Sequence, residues 1–581
     1  MKTIGSSIVI LLYTTFLFGQ NDNISTNLSR LDSLVKTSMK NHQIVGSSYA
    51  IVKGDRIYAM KSFGYANSEK KIPLTNDHQH MFGSISKLIT TTLILQLVDE
   101  GKLDLHKDIK EYVPYINLKY PTTLHHLLTH TAGLEEQVLD RARLQGMKFE
   151  SLKDYLSRKM PQQIFTPGEV AAYSNHGIAL AGLIAEEVTG IPFEELVKRK
   201  VLQPSKMTTA SFDFPDSFVK NCATPYTNGK PASLEYVQTV PASMLTGTIK
   251  DLAHFMKVQL SASKSSIVKQ MQSTQFQPNS LLYGRGYGFF ERVFRGKKGI
   301  IHGNTRNGYT SLVYLIPEDN LGIVVTATGD NSRFRDAVVY GFLRMLYEVN
   351  STTLKTKEIE PSSLKKYSGS FHSVRTNETK FEKIFHKIRP DIIDVTSNDK
   401  SLTILGSKYL YVGNNTFQIE NGSHKIAFKE VGVNSYLMLP GRSDFYKKTS
   451  FFNLPFVHIG ILIIIALLFL ILMIRRLILW RKIKHTSFNR WSFLTQVLGS
   501  SFVLIFTLSA VINGTDLQYG IPNYFYVLFT LPIAFIVTYI LLLIGVLKDK
   551  LNLGIGKGLY LFAGALFCFE LYYWNFIGWN F

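Results

Sequence analysis

Cysteine is nearly absent: Cys222 and Cys568 are the only two in 581 residues, too few for a disulfide framework or a cysteine-rich zinc site. The folds of this chain must therefore stand on packed cores. Charge is also sparse, with 18% Asp, Glu, Lys and Arg against 45% apolar residues, a balance that excludes a disordered, collagen-like or coiled-coil chain. Acidic residues are the scarcer sign, 43 against 64 basic ones, for a net charge of +21. Such an excess suits a nucleic-acid groove only where it clusters on a folded face among aromatics. Here part of it flanks apolar runs, and no nucleic-acid partner is expected. No internal repeat or low-complexity tract stands out.

What the chain has in quantity is long hydrophobic runs. Residues 1–20 read as an export signal: Lys2, an apolar stretch from Ile8 to Tyr13, then Phe16-Leu17-Phe18-Gly19 before polar Gln20-Asn21-Asp22. Four later runs, at 454–474, 491–513, 523–547 and 558–579, are each long enough to span a bilayer core. Arg475, Arg476, Arg481, Lys482, Lys484 and Arg490 follow the first run, and Lys548, Lys550 and Lys557 follow the third. The loop from Asn513 to Asn523 has neither Lys nor Arg. The positive-inside rule makes the two basic loops cytoplasmic, which puts everything before residue 454 on the outer side, in agreement with the export signal. Glu570, an acid inside the last run, is a functional candidate by position.

Between the signal and the first span, the pattern divides. Ser48-Tyr49-Ala50-Ile51-Val52 and Ile57-Tyr58-Ala59-Met60 flank Lys53-Gly54-Asp55-Arg56, a hairpin signal. From 84 to about 260 the periodicity is helical, and strand patterns return at 286–294, 298–302, 309–316 and 321–328, before a helix at 333–348. Strands from both ends around a helical middle predict an α+β unit: an antiparallel sheet with an inserted all-helical lobe. Residues 351–450 read as a small β domain, with turns at Asn414-Asn415 and Asn421-Gly422. The expected organisation is a signal over 1–20, the α+β domain over 21–350, the β domain over 351–450 and a membrane domain of four transmembrane helices over 451–581.

Three elements could carry chemistry. Ser84-Ile85-Ser86-Lys87 opens a strongly apolar helix, so one turn brings the lysine beside the serine hydroxyl. A serine needs a neighbouring base, and a lysine can be that base once burial and nearby positive charge lower its pKa. Other S-x-x-K sequences occur, among them Ser33…Lys36 and Ser397…Lys400; Ser84 differs in standing at a buried helix N-terminus, where free N–H groups favour an oxyanion. Tyr173-Ser174-Asn175 offers a tyrosinate as general base and an amide for a substrate carbonyl or the lysine. His302-Gly303-Asn304-Thr305 lies in a polar turn between β runs, where an edge strand could give a backbone N–H and His302 a proton donor.

In this order and spacing, the set resembles the serine β-lactamase and penicillin-binding-protein superfamily, in the class C-related branch that includes esterases, D-amino-acid peptidases and D,D-carboxypeptidases. Leu127-Leu128-Thr129-His130-Thr131-Ala132-Gly133-Leu134, Pro167-Gly168 and Pro241-Ala242-Ser243-Met244-Leu245-Thr246-Gly247-Thr248 add to the resemblance, which covers residues 30–350. It implies a β-lactamase/transpeptidase-like fold. It also implies Ser84 as acylated nucleophile, Lys87 as its proton partner, Tyr173 as general base and Asn175 as a contact of substrate and lysine. His302 stands where the family has Lys or His, and the backbone N–H groups of Ser84 and Thr305 would form the oxyanion hole. Asn304 departs from the family's usual glycine and places a Cβ where substrate backbone approaches. The expectation is an exported, membrane-anchored serine hydrolase that cleaves an amide or ester bond of a peptide, β-lactam or small ester through an acyl-enzyme, with no metal or cofactor. It would sit in a bacterial cytoplasmic membrane as a multi-pass protein, with the bilayer as one partner and its catalytic domain on the periplasmic or extracellular side. The alternative is a non-catalytic or slowly deacylating penicillin-binding sensor, in which the four helices contact a membrane partner.

Overall fold

A computed structural model of the chain describes residues 22–144, 147–214, 216–261, 265–349, 356–388, 390–479, 486–548 and 554–580. The expected export signal lies outside the described residues, as do Arg481, Lys482, Lys484 and Lys550 of the basic loops.

Helix α1 (Asp22–His42) leads into β1 (Gly46–Lys53), β2 (Arg56–Asn67) and the short β3 (Ile72–Pro73). The chain returns to this sheet with β4 (Phe290–Phe294), β5 (Lys297–Arg306), β6 (Tyr309–Ile316) and β7 (Leu321–Thr328). The spatial order is β4-β5-β6-β7-β1-β2-β3, and β1 pairs antiparallel with β7 from Gly46↔Thr328 to Lys53↔Leu321. The predicted sheet built from both chain ends is therefore present.

Alternation along the central strands decides which layer packs where. Tyr49 and Ile51 of β1, with Ile323 and Val325 of β7, enter a core shared with α1 and the helix Ser332–Leu346. Ala50, Val52 and Val324 point the other way, into the core of the helical lobe. Both faces of these strands are covered, which is why their sequences read as near-continuous apolar runs.

The lobe's central helix, α2 (Ser86–Asp99), is buried from Ser86 to Leu95. The N-terminus of the helix Asn175–Thr189 is capped by Ser174, whose hydroxyl accepts the Gly177 N–H. Both helices bring the first two motifs to one edge of the sheet.

After the sheet comes a closed barrel of eight antiparallel strands, from Gly369–Ser373 to Tyr446–Thr449. Phe371, Leu402, Phe417, Phe428 and Leu437 fill it. A short helix of the barrel unit, Lys383–Ile388, is wedged onto the last part of the chain, where Phe381 and Ile384 pack with Phe525 and Phe529.

Four helices there are long and apolar enough to cross a membrane: Pro455–Ile478, Ser487–Asn513, Tyr524–Lys548 and Ile555–Tyr573. Within them Glu570 is fully buried, accepts the Trp574 indole N–H at 3.1 Å and contacts His458 Nδ1 at 3.0 Å. The carboxylate thereby has its partners, as burial of an acid requires, while His458 Nε2 has none among the described residues.

Candidate functional site

The short strand His80–Gly83 delivers Ser84 to the start of α2. Gly83 has φ +50°, and a Cβ at this position would collide with the Asn304 amide. Glycine is required here by the close approach of β5. One turn into α2, Lys87 is fully buried and its Nζ donates to Ser84 Oγ at 3.1 Å and to the Ala242 carbonyl at 2.8 Å. Tyr173 Oη donates to the same Ser84 Oγ at 2.8 Å. Serine, lysine and tyrosine thus form one hydrogen-bonded cluster.

Burial drives the Lys87 ammonium well below the ordinary lysine range, the charge of Arg375 adds to the effect, and Glu136 opposes it. Burial pushes the Tyr173 phenol up, while the Ser84 hydrogen bond and Arg375 pull the other way. The two shifts run in opposite directions, one favouring a neutral amine and the other a protonated phenol.

Neighbours fix the tyrosine. Its ring centroid lies 4.4 Å from that of His130, whose Nδ1 accepts the Ser174 N–H at 3.2 Å. The barrel supplies Asp444, which accepts the Tyr173 N–H at 2.6 Å, and Arg375, whose guanidinium stands 4.8 Å from the ring centroid. Arg375 is itself held by an ion pair with buried Glu136. These barrel residues were not foreseen: a loop arginine in a separate domain carries no local pattern. His130 belongs to the stretch Leu127–Leu134, where nothing in the local sequence marks its contact with Tyr173.

The third element meets the cluster with two departures from expectation. His302 Nδ1 contacts the Gly288 carbonyl, which can only accept, so Nδ1 carries the proton and Nε2 is an acceptor. Burial above all, with Arg335 nearby, holds this imidazole down at about 3 against the Gly288 hydrogen bond, so it is neutral. His302 therefore offers an acceptor where a proton donor was expected. Asn304 Oδ1 accepts the Ser84 N–H at 3.3 Å, and its backbone carbonyl receives the hydroxyls of Thr305 and Thr310, both at 2.9 Å.

Asn175 lines the same cavity, but among the described residues no hydrogen bond joins it to Lys87. The Ala242 carbonyl takes that place. Ser84, Tyr173, Asn175, His302, Asn304 and Thr305 all border one cavity of about 490 Å³, and Lys87 lies beneath it. Arg292, Arg306, Arg335 and Arg375 stand in its wall against a single acid, Asp336. No group of three or more His, Cys, Asp or Glu suited to a metal occurs among the described residues.

Comparison with known proteins agrees with this architecture. The Beta-lactamase family model matches residues 31–343. Protein flp of Staphylococcus aureus (strain N315) is 28% identical over 317 residues, 51% of this chain and 62% of that protein. The chain thus spans about three fifths of that relative's length. A protein of Escherichia coli (strain K12) named Beta-lactamase is 25% identical over 333 residues, 50% of this chain and 85% of that protein. Among solved structures, SurE with D-Leu aligns with a TM-score of 0.52 at 19% identity, covering 73% of this chain and 100% of that one, a likeness of fold alone. The family match covers more than half of the sequence and contains the whole Ser84–Lys87–Tyr173 cluster, and the chain belongs to the β-lactamase family, within the serine β-lactamase and penicillin-binding-protein superfamily.

Proposed function

We propose that this chain is a membrane-anchored serine hydrolase that opens an amide or ester bond through an acyl-enzyme on Ser84. The observation that carries the reading is the double hydrogen bond on Ser84 Oγ, from Lys87 and from Tyr173. Neutral Lys87 takes the hydroxyl proton as Oγ attacks the carbonyl carbon. Tyr173, still a phenol, gives its proton to the departing nitrogen or oxygen and regains one from the Lys87 ammonium. Water then attacks the acyl carbon by the reverse relay, which releases the acid and restores Ser84. The Ser84 and Thr305 N–H groups are the proposed oxyanion donors, the first after the Asn304 amide moves aside. Three of the four wall arginines have an acid partner, Arg375 with Glu136, Arg306 with Glu235 and Arg335 with Asp336, and Arg292, which has no ion pair among the described residues, favours a substrate with an anionic group.

The reading extends to an outer-side location. The loop Gly514–Tyr519, between the second and third membrane helices, contacts the hydrolase domain: Leu517 O accepts the Asp140 N–H at 3.2 Å, and Gln518 donates to Glu235 at 3.2 Å. That loop has no Lys or Arg, whereas the opposite loops are basic. Export and the domain divisions near 20, 350 and 450 belong to the same proposal.

A second reading, a slowly deacylating penicillin-binding sensor, is favoured by one observation: Asn304 occupies a donor that turnover needs. The test is hydrolysis by the full chain in detergent of a p-nitrophenyl ester, benzylpenicillin and a peptide ending in D-alanine, beside Ser84→Ala. Turnover of any of them that is lost in Ser84→Ala supports the hydrolase. A stable adduct without turnover supports the sensor, and the absence of both turnover and adduct contradicts both readings.

A further inference from the structure

A second cavity, of about 360 Å³, lies where the barrel meets the membrane helices, and it shares no lining residue with the Ser84 cavity. Its wall carries Lys383, Lys387, Lys447 and Lys448 against one acid, Glu378. Glu378 contacts Lys387 at 2.8 Å and Lys383 at 3.4 Å, and those two lysine side chains are only 15% and 11% exposed. Lys448 donates to the Lys366 carbonyl, and among the described residues no ion pair involves Lys447. Glu378 thus answers Lys383 and Lys387, Lys383 also donates to the Tyr573 carbonyl at 3.0 Å, and Lys447 and Lys448 have no acid partner among the described residues, in a partly desolvated space where uncompensated charge is costly.

A different observation points to a ligand at the same place. His372 borders this cavity, is 6% exposed, and its Nε2 has no hydrogen-bond partner. Buried polar groups are nearly always satisfied, and with its proton on Nε2 this imidazole is a donor that an anion beside the lysines would satisfy after a small shift of the ring.

The surroundings specify the anion's source. Asn453, also in the wall, directly precedes the first membrane helix, and Tyr573 ends the fourth. Phe451, Phe452 and Phe456, on either side of Asn453 in the chain, are exposed, as suits rings at the acyl boundary of a bilayer. The cavity thus stands at headgroup depth.

We propose that this cavity binds the phosphate headgroup of an anionic membrane lipid, with Lys383, Lys387 and Lys447 as charged contacts and His372 as a hydrogen-bond donor. The site anchors the barrel to the bilayer surface independently of what happens at Ser84.

Native mass spectrometry of the full chain in a non-ionic detergent, titrated with phosphatidylglycerol or phosphatidylcholine, tests the proposal. Phosphatidylglycerol should be retained at about tenfold lower concentration than phosphatidylcholine, and the double variant Lys387→Gln/Lys447→Gln should bring the two lipids level. Glu378→Gln, which removes the one opposing acid, should tighten phosphatidylglycerol binding, and it keeps the test readable if the double lysine variant fails to fold. Inorganic phosphate is the competing source. Displacement of phosphatidylglycerol by inorganic phosphate at equal concentration would overturn the lipid assignment. Equal retention of the two lipids by the unaltered chain, or no response to Glu378→Gln, would overturn the site.

Discussion

Asn304 Oδ1 accepts the backbone N–H of Ser84 at 3.3 Å. An amide from β5 thus rests on a donor proposed to hold the oxyanion, at a position where the family's usual glycine could not reach it. Asn304→Gly is expected to raise the acylation rate by about tenfold, a modest fraction of what one oxyanion donor is worth. The check is the second-order rate of benzylpenicillin acylation under stopped flow. A lower rate in the variant would make the amide a productive substrate contact rather than a plug.

The electrostatics of the cluster set the pH profile. Burial, with Arg375, lowers Lys87 well below the ordinary lysine range, so the neutral amine is available without strongly alkaline conditions. Activity is lost as falling pH protonates Lys87. His302, held at about 3, contributes no limb near the ordinary histidine range. The kcat/KM profile for an ester should therefore show one acid limb that is unchanged in His302→Gln and altered in Lys87→Arg. A limb that disappears with His302 would contradict this assignment.

Arg375 ties the barrel to the catalytic cluster. Burial raises the Glu136 carboxyl, but the charges of Arg375 and Arg141 outweigh it and hold the group at about 2, against an ordinary 4.5. A depressed carboxyl stabilises the fold above its unfolded pKa, and that contribution is lost as pH falls from about 4.5 towards 2. Arg375→Ala leaves Glu136 with Arg141 at 3.9 Å. The expected cost is about 2 kcal/mol, below the range for fully buried pairs because the Arg375 side chain is 33% exposed. Glu136→Gln in the same chain should recover part of it. Thermal unfolding of the full chain, followed across the acid range, checks the sign: Arg375→Ala should unfold earlier at neutral pH and show a flatter acid dependence. An unchanged melting profile would refute the coupling.

How much of this was legible in the sequence follows from the range of each interaction. The hairpin at Lys53-Gly54-Asp55-Arg56 and the four apolar runs are local patterns, and they appear as β1–β2 and as four long helices. The sheet built from both chain ends could be inferred because strand patterns flank a helical middle, whereas the pairing of β1 with β7 within it is a long-range contact. Closure of the barrel could not, since short strands leave register to contacts rather than to periodicity. Ser84, Lys87 and Tyr173 were found because their spacing is ordered, and the structure brings them together. The lysine's second partner was missed because it is a backbone carbonyl, Ala242, which has no sequence signature. Arg375 and Asp444 were missed because they reach Tyr173 from another domain. The tautomer of His302 depends on the Gly288 carbonyl across the fold and is likewise invisible to motif reading.

The central claim is that Ser84 becomes acylated. Intact-protein mass spectrometry of the full chain with benzylpenicillin and with a p-nitrophenyl ester, quenched within the first turnover and followed by peptide mapping, tests it most directly. The account predicts one acyl adduct, mapped to Ser84 and absent in Ser84→Ala. An adduct on another residue, or ester turnover that survives Ser84→Ala, would contradict it.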